Sequence, residues 1–303
     1  MKEELIQLTF RIDEPQQLLR DAIRKYGISK KALTSIKYEG GKITVNGVEK
    51  TVRHKLDSGD MVQITFPPEK KSDGLIPQQV RFPILMEDNH LLILTKAAGI
   101  STIPSREHPI GTMANFLAGY LEESGLSSTV HIVTRLDKDT SGIICVAKHR
   151  HAHHLLSEMQ KSGQISRTYE AIVHGHIQQD EFLIDAPIGR KNGSIIERVI
   201  DSEGKQAKTS VQVLSRFENI GEKLTHVRLQ LHTGRTHQIR VHMMSIGHPL
   251  LGDDLYGGNL RLINRQALHA RELTLVHPFT KEKVHLIAPF PEDMKELIPT
   301  ISS

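Results

Sequence analysis

His131-Ile-Val-Thr-Arg-Leu-Asp-Lys-Asp-Thr-Ser-Gly142 runs directly into Ile143-Ile-Cys-Val-Ala147. The second stretch reads as a buried strand, and the first sets Arg135 and Asp137 at its mouth. An ionised carboxylate beside apolar strands is costly unless it is paired. An arginine two residues away supplies a partner that would hold Asp137 charged. A carboxylate held in this way is a potential nucleophile. A structural ion pair at a strand end is the plainer account, and R-x-D alone does not choose between them.

Outward from that strand the chain carries many short strands and few helices. Strand candidates are 84–86, 91–94, 143–147, 169–173, 210–214, 227–231, 268–275 and 284–288; helix candidates are 112–121, 149–161 and 236–246. Strands outnumber helices and do not alternate regularly with them, so the expected class is α+β on a mostly antiparallel sheet, not a doubly wound one. No dinucleotide or phosphate-loop fingerprint appears, which removes the main sequence support for a nucleotide cofactor.

At 303 residues the chain exceeds one average domain, with 38% hydrophobic and 24% charged residues. No apolar run is long enough to span a bilayer, and Met1-Lys-Glu-Glu lacks the hydrophobic stretch of a signal peptide. The expectation is a cytoplasmic protein with no membrane partner, and a monomer by default. Cys145 is the only cysteine, so no intramolecular disulfide can form, and its apolar strand makes it a packing residue.

The net charge of +4 is unevenly placed: between Gln16 and Lys55 ten Lys/Arg face three acids, an excess of seven. Such a local excess points to a phosphate-rich partner. Within it Leu18, Leu19, Ala22 and Ile23 recur at helical spacing, Gly27 stops the helix, and Ser29 can cap a second one carrying Leu33 and Ile36. Gly40-Gly41 leads to Ile43-Thr-Val45, an Asn46-Gly47 hairpin turn and Val48. Val62-Gln-Ile64-Thr-Phe66 alternates as a further strand. Residues 67–79 mix proline, charge and glycine without apolar period and read as a linker.

A second constellation is Leu231-His-Thr-Gly-Arg-Thr-His-Gln-Ile-Arg-Val-His242, continued by Gly247-His-Pro-Leu-Leu-Gly-Asp-Asp-Leu-Tyr256. Val227, Leu229 and Leu231 alternate as a half-buried strand, Gly234 permits a sharp turn, and Thr236 can cap a helix with Ile239, Met243 and Ile246 on its core side. Arg240 beside that stripe wants a carboxylate; Asp137 and Asp253 are both candidates. A third stretch, Ile165-Ser-Arg-Thr-Tyr-Glu-Ala-Ile-Val-His-Gly175, sets Tyr169 at the entry of an apolar strand, a usual place for a core tyrosine. The cluster His149, His151, His153 and His154 raises the question of metal, since His149 and His153 stand four apart. No third ligand is legible, so no metal is expected, and exposed histidines at a helix start are the ordinary account.

These strings together resemble the RluA family of RNA pseudouridine synthases. The likeness rests on R-L-D-x-x-T-S-G before a strand, on S-R-T-Y-E-A-I-V-H-G, on T-G-R-T-H-Q-I-R-V-H, and on Glu87 to Gly99 and Leu268 to Pro278. Residues 16–66, through I-S-K-K, G-K-I-T-V-N-G and L-D-S-G-D-M-V, resemble the S4 RNA-binding domain. The resemblance implies an S4-like αβ domain over 1–66, the linker 67–79, and an antiparallel-sheet synthase domain over 80–303. It implies Asp137 as catalytic residue, Arg240 facing it, and Tyr169 stacking on the target uracil. It leaves Arg135 either pairing with Asp137 or filling the space of a flipped base. RNA contacts fall to Arg24, Lys30, Lys31 and Lys37, and to Arg235 and His237 of the third motif. The implied reaction needs no cofactor. The implied substrate is 23S ribosomal RNA, with transfer RNA or a non-catalytic assembly role as alternatives. Two departures are Thr134, where the family often has His, and Ala97, where it usually has proline.

Overall fold

The computed structural model describes residues 5–70, 72, 74–126 and 128–299, so positions 71 and 73 of the expected linker lie outside it. The N-terminal part is a four-stranded antiparallel sheet in the order β1 (Gln7–Arg11), β4 (Met61–Thr65), β2 (Lys42–Val45), β3 (Val48–Glu49). Helices α1 (Leu19–Lys25) and α2 (Lys30–Tyr38) cover it. Ser29 caps α2 by accepting from the Ala32 N–H, and Asn46 and Gly47 take the positive φ values that a two-residue hairpin turn requires. Leu19, Ile23, Ile36, Leu56, Val62 and Ile64 form its core. Strand β1, which buries Leu8 and Phe10, has no counterpart in the sequence reading. Its alternation covers only five residues, and its partner β4 is remote in the chain.

The larger sheet runs β10 (Glu181–Asp185), β13 (Lys208–Asn219), β14 (Glu222–Leu231), β9 (Ser166–His174), β15 (Leu268–Val276), β8 (Ser141–Ala147), β6 (Leu91–Lys96), β5 (Ile84–Glu87). β16 (Lys283–Ile287) pairs with β15, and β7 (His131–Ile132) with β8. The pairings are antiparallel except β8 with β15, confirming the expected α+β class. That one parallel contact lies where the loop carrying Asp137 enters β8. Gly142 there has φ +117°, and a Cβ on it would stand 2.3 Å from the Ala270 carbonyl oxygen. Helices α3 (Met113–Glu123) and α4 (Arg150–Lys161) pack on this sheet at the expected places. Strand β10 and the hairpin β11 (Ile188–Arg190), β12 (Arg198–Ile200) were not foreseen, because their short stretches bury few apolar side chains.

Helix α5 (Gln238–Ser245) corrects two expectations. Thr236 does not cap it: the N-cap is His237, in the left-handed region at φ 56°, without a side-chain cap bond. Nor is there one apolar stripe, since Gln238 through Met243 are all buried while Ile246 is 37% exposed. The helix lies inside the molecule, so its polar members are enclosed along with its apolar ones.

Of the four histidines at the start of α4, His154 is exposed as expected and His153 is half-buried, but the other two are not at solvent. His149 and His151 are buried: His149 accepts from the Ala152 N–H and lies 2.9 Å from His90, and His151 donates to the Tyr26 carbonyl at 3.0 Å. Phe66 of the N-terminal sheet packs against both rings. These side chains belong to the seam between the two sheets. Among the described residues no cluster of three His, Cys, Asp or Glu could hold a metal, and no helix is long and apolar enough to cross a membrane.

Candidate active site

The stretch 133–140 is tied to strands β8 and β6 at Val133, Thr134 and Lys138, and to neighbouring loops at Leu136, Asp139 and Thr140. Val133 N–H donates to the Cys145 carbonyl, and Thr134, the departure from the resembling motif, accepts the Cys145 N–H on its hydroxyl at 2.8 Å. The Thr102 hydroxyl donates to the Leu136 carbonyl at 2.6 Å. Beneath the loop is Lys96, buried, its Nζ donating at 2.8 Å to the carbonyls of Ala97, Ile100 and Lys138. Burial pushes the Lys96 pKa down to about 7, against the pull of Asp139 and Asp137. Three carbonyl acceptors call for the three protons of an ammonium. Lys96 thus fastens the residue after Asp137 to the strand end.

Asp137 emerges at the floor of a cavity of about 930 Å³, with its side chain 29% exposed. Arg240 reaches it from α5, Nη1 to Oδ2 3.5 Å, but its tighter partner is Asp253, bonded by Nε and Nη2 at 2.7 Å each. Both carboxylates left open by the sequence are therefore engaged, at unequal range. Burial opposes the charge of Arg240, yet Asp253 and then Asp137 outweigh burial and raise its pKa above the ordinary value. The guanidinium also lies over the Tyr256 ring, 4.9 Å from its centroid.

His237 approaches the same oxygen of Asp137, Nε2 to Oδ2 3.8 Å. Its Nδ1 lies 2.8 Å from the Tyr256 hydroxyl, which also accepts the Arg198 N–H at 2.8 Å. Burial lowers the His237 pKa, with Asp137 pulling the other way. The turn before it is built by Gln238, whose Oε1 accepts from Thr233 Oγ1 and the Arg235 N–H. That buried side chain ties the turn together, and the helix start itself keeps no side-chain cap.

Tyr169 is buried on β9 and lines the same cavity, and burial raises its phenol pKa. Arg235 is exposed at the cavity wall, its Nε donating to the Gln206 carbonyl. Arg135 corrects an expectation: it is exposed and, among the described residues, makes no ion pair with Asp137. Leu136 turns into the core between them and is held by Thr102, so the two side chains part. Arg24, Lys30, Lys31 and Lys37 are exposed on α1 and α2 and do not line this cavity. Lys96 and Tyr256 carry parts that the sequence reading did not assign.

A family model described as RNA pseudouridylate synthase matches residues 90–245. An RNA pseudouridine synthase of Bacillus subtilis named YjbO and described as uncharacterized is 49% identical over 272 residues, covering 90% of this chain and 95% of its own. Ribosomal large subunit pseudouridine synthase D of Pseudomonas aeruginosa is 38% identical over 273 residues, covering 85% of this chain and 83% of its own. Among solved structures, human RNA pseudouridylate synthase domain containing 1 matches with a TM-score of 0.58 at 26% identity, over 73% of this chain and 91% of that one. Similarity of this extent, on a chain whose cavity gathers the three motifs at one carboxylate, places the protein in the RluA family of RNA pseudouridine synthases.

Proposed function

We propose that this synthase isomerises specific uridines of large-subunit ribosomal RNA, with Asp137 as its nucleophile and no cofactor. The observation that carries the reading is the placing of Asp137: part-exposed at the floor of a large cavity, 3.5 Å from a buried Arg240 that a second carboxylate already holds. An arginine so anchored sets a fixed positive charge beside the carboxylate without closing over it. The reaction exchanges a C–N glycosidic bond for a C–C bond within one nucleotide, so electrons balance without a redox partner. The target base has to leave its stack to reach Asp137, and Tyr169 offers it a face.

Exposed Arg135 is suited to fill the space such a base leaves. Arg235 and His237 flank the cavity, while Arg24, Lys30, Lys31 and Lys37 on an S4-like domain over 1–66 would hold phosphates away from the chemistry. Ribosomal RNA is favoured over transfer RNA by the Pseudomonas aeruginosa relative and its named substrate. The test is tritium release from RNA labelled at uridine C5, with ribosomal and transfer RNA supplied separately to wild type and Asp137→Asn. Release from ribosomal RNA by wild type alone is expected. Release from transfer RNA alone would move the substrate, and no release with RNA binding intact would leave a non-catalytic binder.

A further inference from the structure

Beside the cavity that holds Asp137 lies a second one of about 480 Å³, and Ile103 and Arg135 line both. Its volume is in the range that takes a small planar ligand. The remaining wall is mostly apolar, with Leu75, Val130 and Ile132, and with His131 and His153 stacked at 5.3 Å between ring centroids and 26° between planes. Glu69 is already committed, to His131 Nε2 at 2.6 Å and to the Arg150 N–H at 2.7 Å. We propose that this cavity is a subsite for the nucleobase adjoining the target uridine, so that two consecutive bases are held in two pockets with Arg135 and Ile103 between them. The inference rests on the reading of the larger cavity as the place of the target uridine.

Three features support a base as the occupant. Continuity comes first: this cavity and the one holding Asp137 share Ile103 and Arg135 in their linings, so a nucleotide next to the target needs no long excursion to enter. Chemistry comes second. Apolar side chains and a pair of stacked imidazoles match the faces of an uncharged aromatic ring, and burial lowers the His153 pKa. The wall itself comes third. Ile103 is 48% exposed, a large apolar side chain left at solvent between two cavities, and Arg135 beside it has no ion pair among the described residues. A flat guanidinium and an isoleucine between two unstacked bases would replace the stacking each base gives up when the pair is parted.

The experiment uses a hairpin RNA carrying a uridine that the enzyme modifies in transcribed 23S RNA, in three forms: intact, and with an abasic ribose at either neighbour. Single-turnover pseudouridine formation is followed with wild type and Val130→Phe, which fills the second cavity without touching the first. Wild type is expected to slow about tenfold when one particular neighbour loses its base, within the range a single stacked base contributes, and little when the other does. Val130→Phe should slow about as much on the intact hairpin and not at all on that abasic form. Equal rates for all three hairpins, or an equal loss by the variant on every hairpin, would overturn the subsite. If Val130→Phe melts early, His153→Ala, which removes a ring face, is held to the same pattern. Absence of pseudouridine with any RNA would instead sink the reading of the larger cavity.

Discussion

Arg240 answers to two carboxylates at different range, and the difference defines their tasks. Asp253 is wholly buried and bidentate, so it sets where the guanidinium points; Asp137 keeps the looser contact, which on the proposed reading leaves it free for substrate. Asp253→Ala should therefore lower kcat at least tenfold with little change in KM, because the arginine can no longer hold its direction. It should also lower Tm, since an unpaired buried charge costs about 3–5 kcal/mol. Activity and thermal melts on one preparation check both. Tyr256 touches both partners of Asp137, its ring under Arg240 and its hydroxyl at His237. With its hydroxyl accepting the Arg198 N–H, its own proton is free for His237 Nδ1, which leaves Nε2–H facing Asp137. Tyr256→Phe keeps the ring under Arg240 and removes that constraint. A several-fold drop in kcat is expected, with the His237 ring-nitrogen resonances in NMR reporting a changed tautomer.

The loop that carries Asp137 is held from below by one side chain, and the two sheets meet through a layer of histidines. Lys96→Met should leave three carbonyls without a donor, each costing about 1–3 kcal/mol. Lower Tm and lower kcat at unchanged KM for RNA are the expected readings; a variant of wild-type kcat would remove Lys96 from the positioning of Asp137. At the seam, burial pushes His90 and His151 down to about 4 and His149 well below its ordinary value, among Tyr26, Phe66, Asp88, His277 and Lys148. An unfolded chain protonates these rings near pH 6.5, so between there and about pH 4 it binds more protons than the folded one. Stability from the seam is complete above about pH 6.5 and falls as pH drops toward 4. His151→Gln can keep the bond to the Tyr26 carbonyl and cannot titrate, so its Tm should decline less steeply across that window than wild type. A matching slope would show that the seam is not where acid acts.

Across the whole molecule the local basic excess and Asp137 lie apart: residues 16–55 of the N-terminal part carry ten Lys/Arg against three acids, and Asp137 lies in the loop that enters β8 of the larger sheet. Changing Lys30, Lys31 and Lys37 together to Gln should raise KM for RNA and leave kcat near wild type. The slope of binding against salt should flatten by about 0.7–0.9 for each phosphate no longer neutralised. Unchanged salt dependence would move the RNA path elsewhere. Local pattern made much of this architecture legible. The 143–147 and 227–231 strands, the Ser29 cap and the Asn46-Gly47 turn are each decided by neighbours a few residues apart. The motif residues Asp137, Tyr169 and Arg240 were legible too, since their spelling resembles a family, though resemblance could not say what they touch. Arg240 pairs across 103 residues to Asp137 and across 13 to Asp253, and no periodicity reports a contact of that kind. Leu136 facing the core parted Arg135 from Asp137, and the enclosure of α5 made Gln238 the builder of its turn. Most of the elements, the fold class and the prominence of Asp137 follow from local pattern, because periodicity and motif are properties of the chain. Tertiary structure alone decided which charges meet, which histidines are sealed and where a second pocket opens, because burial and ion pairing depend on side chains that only folding brings together.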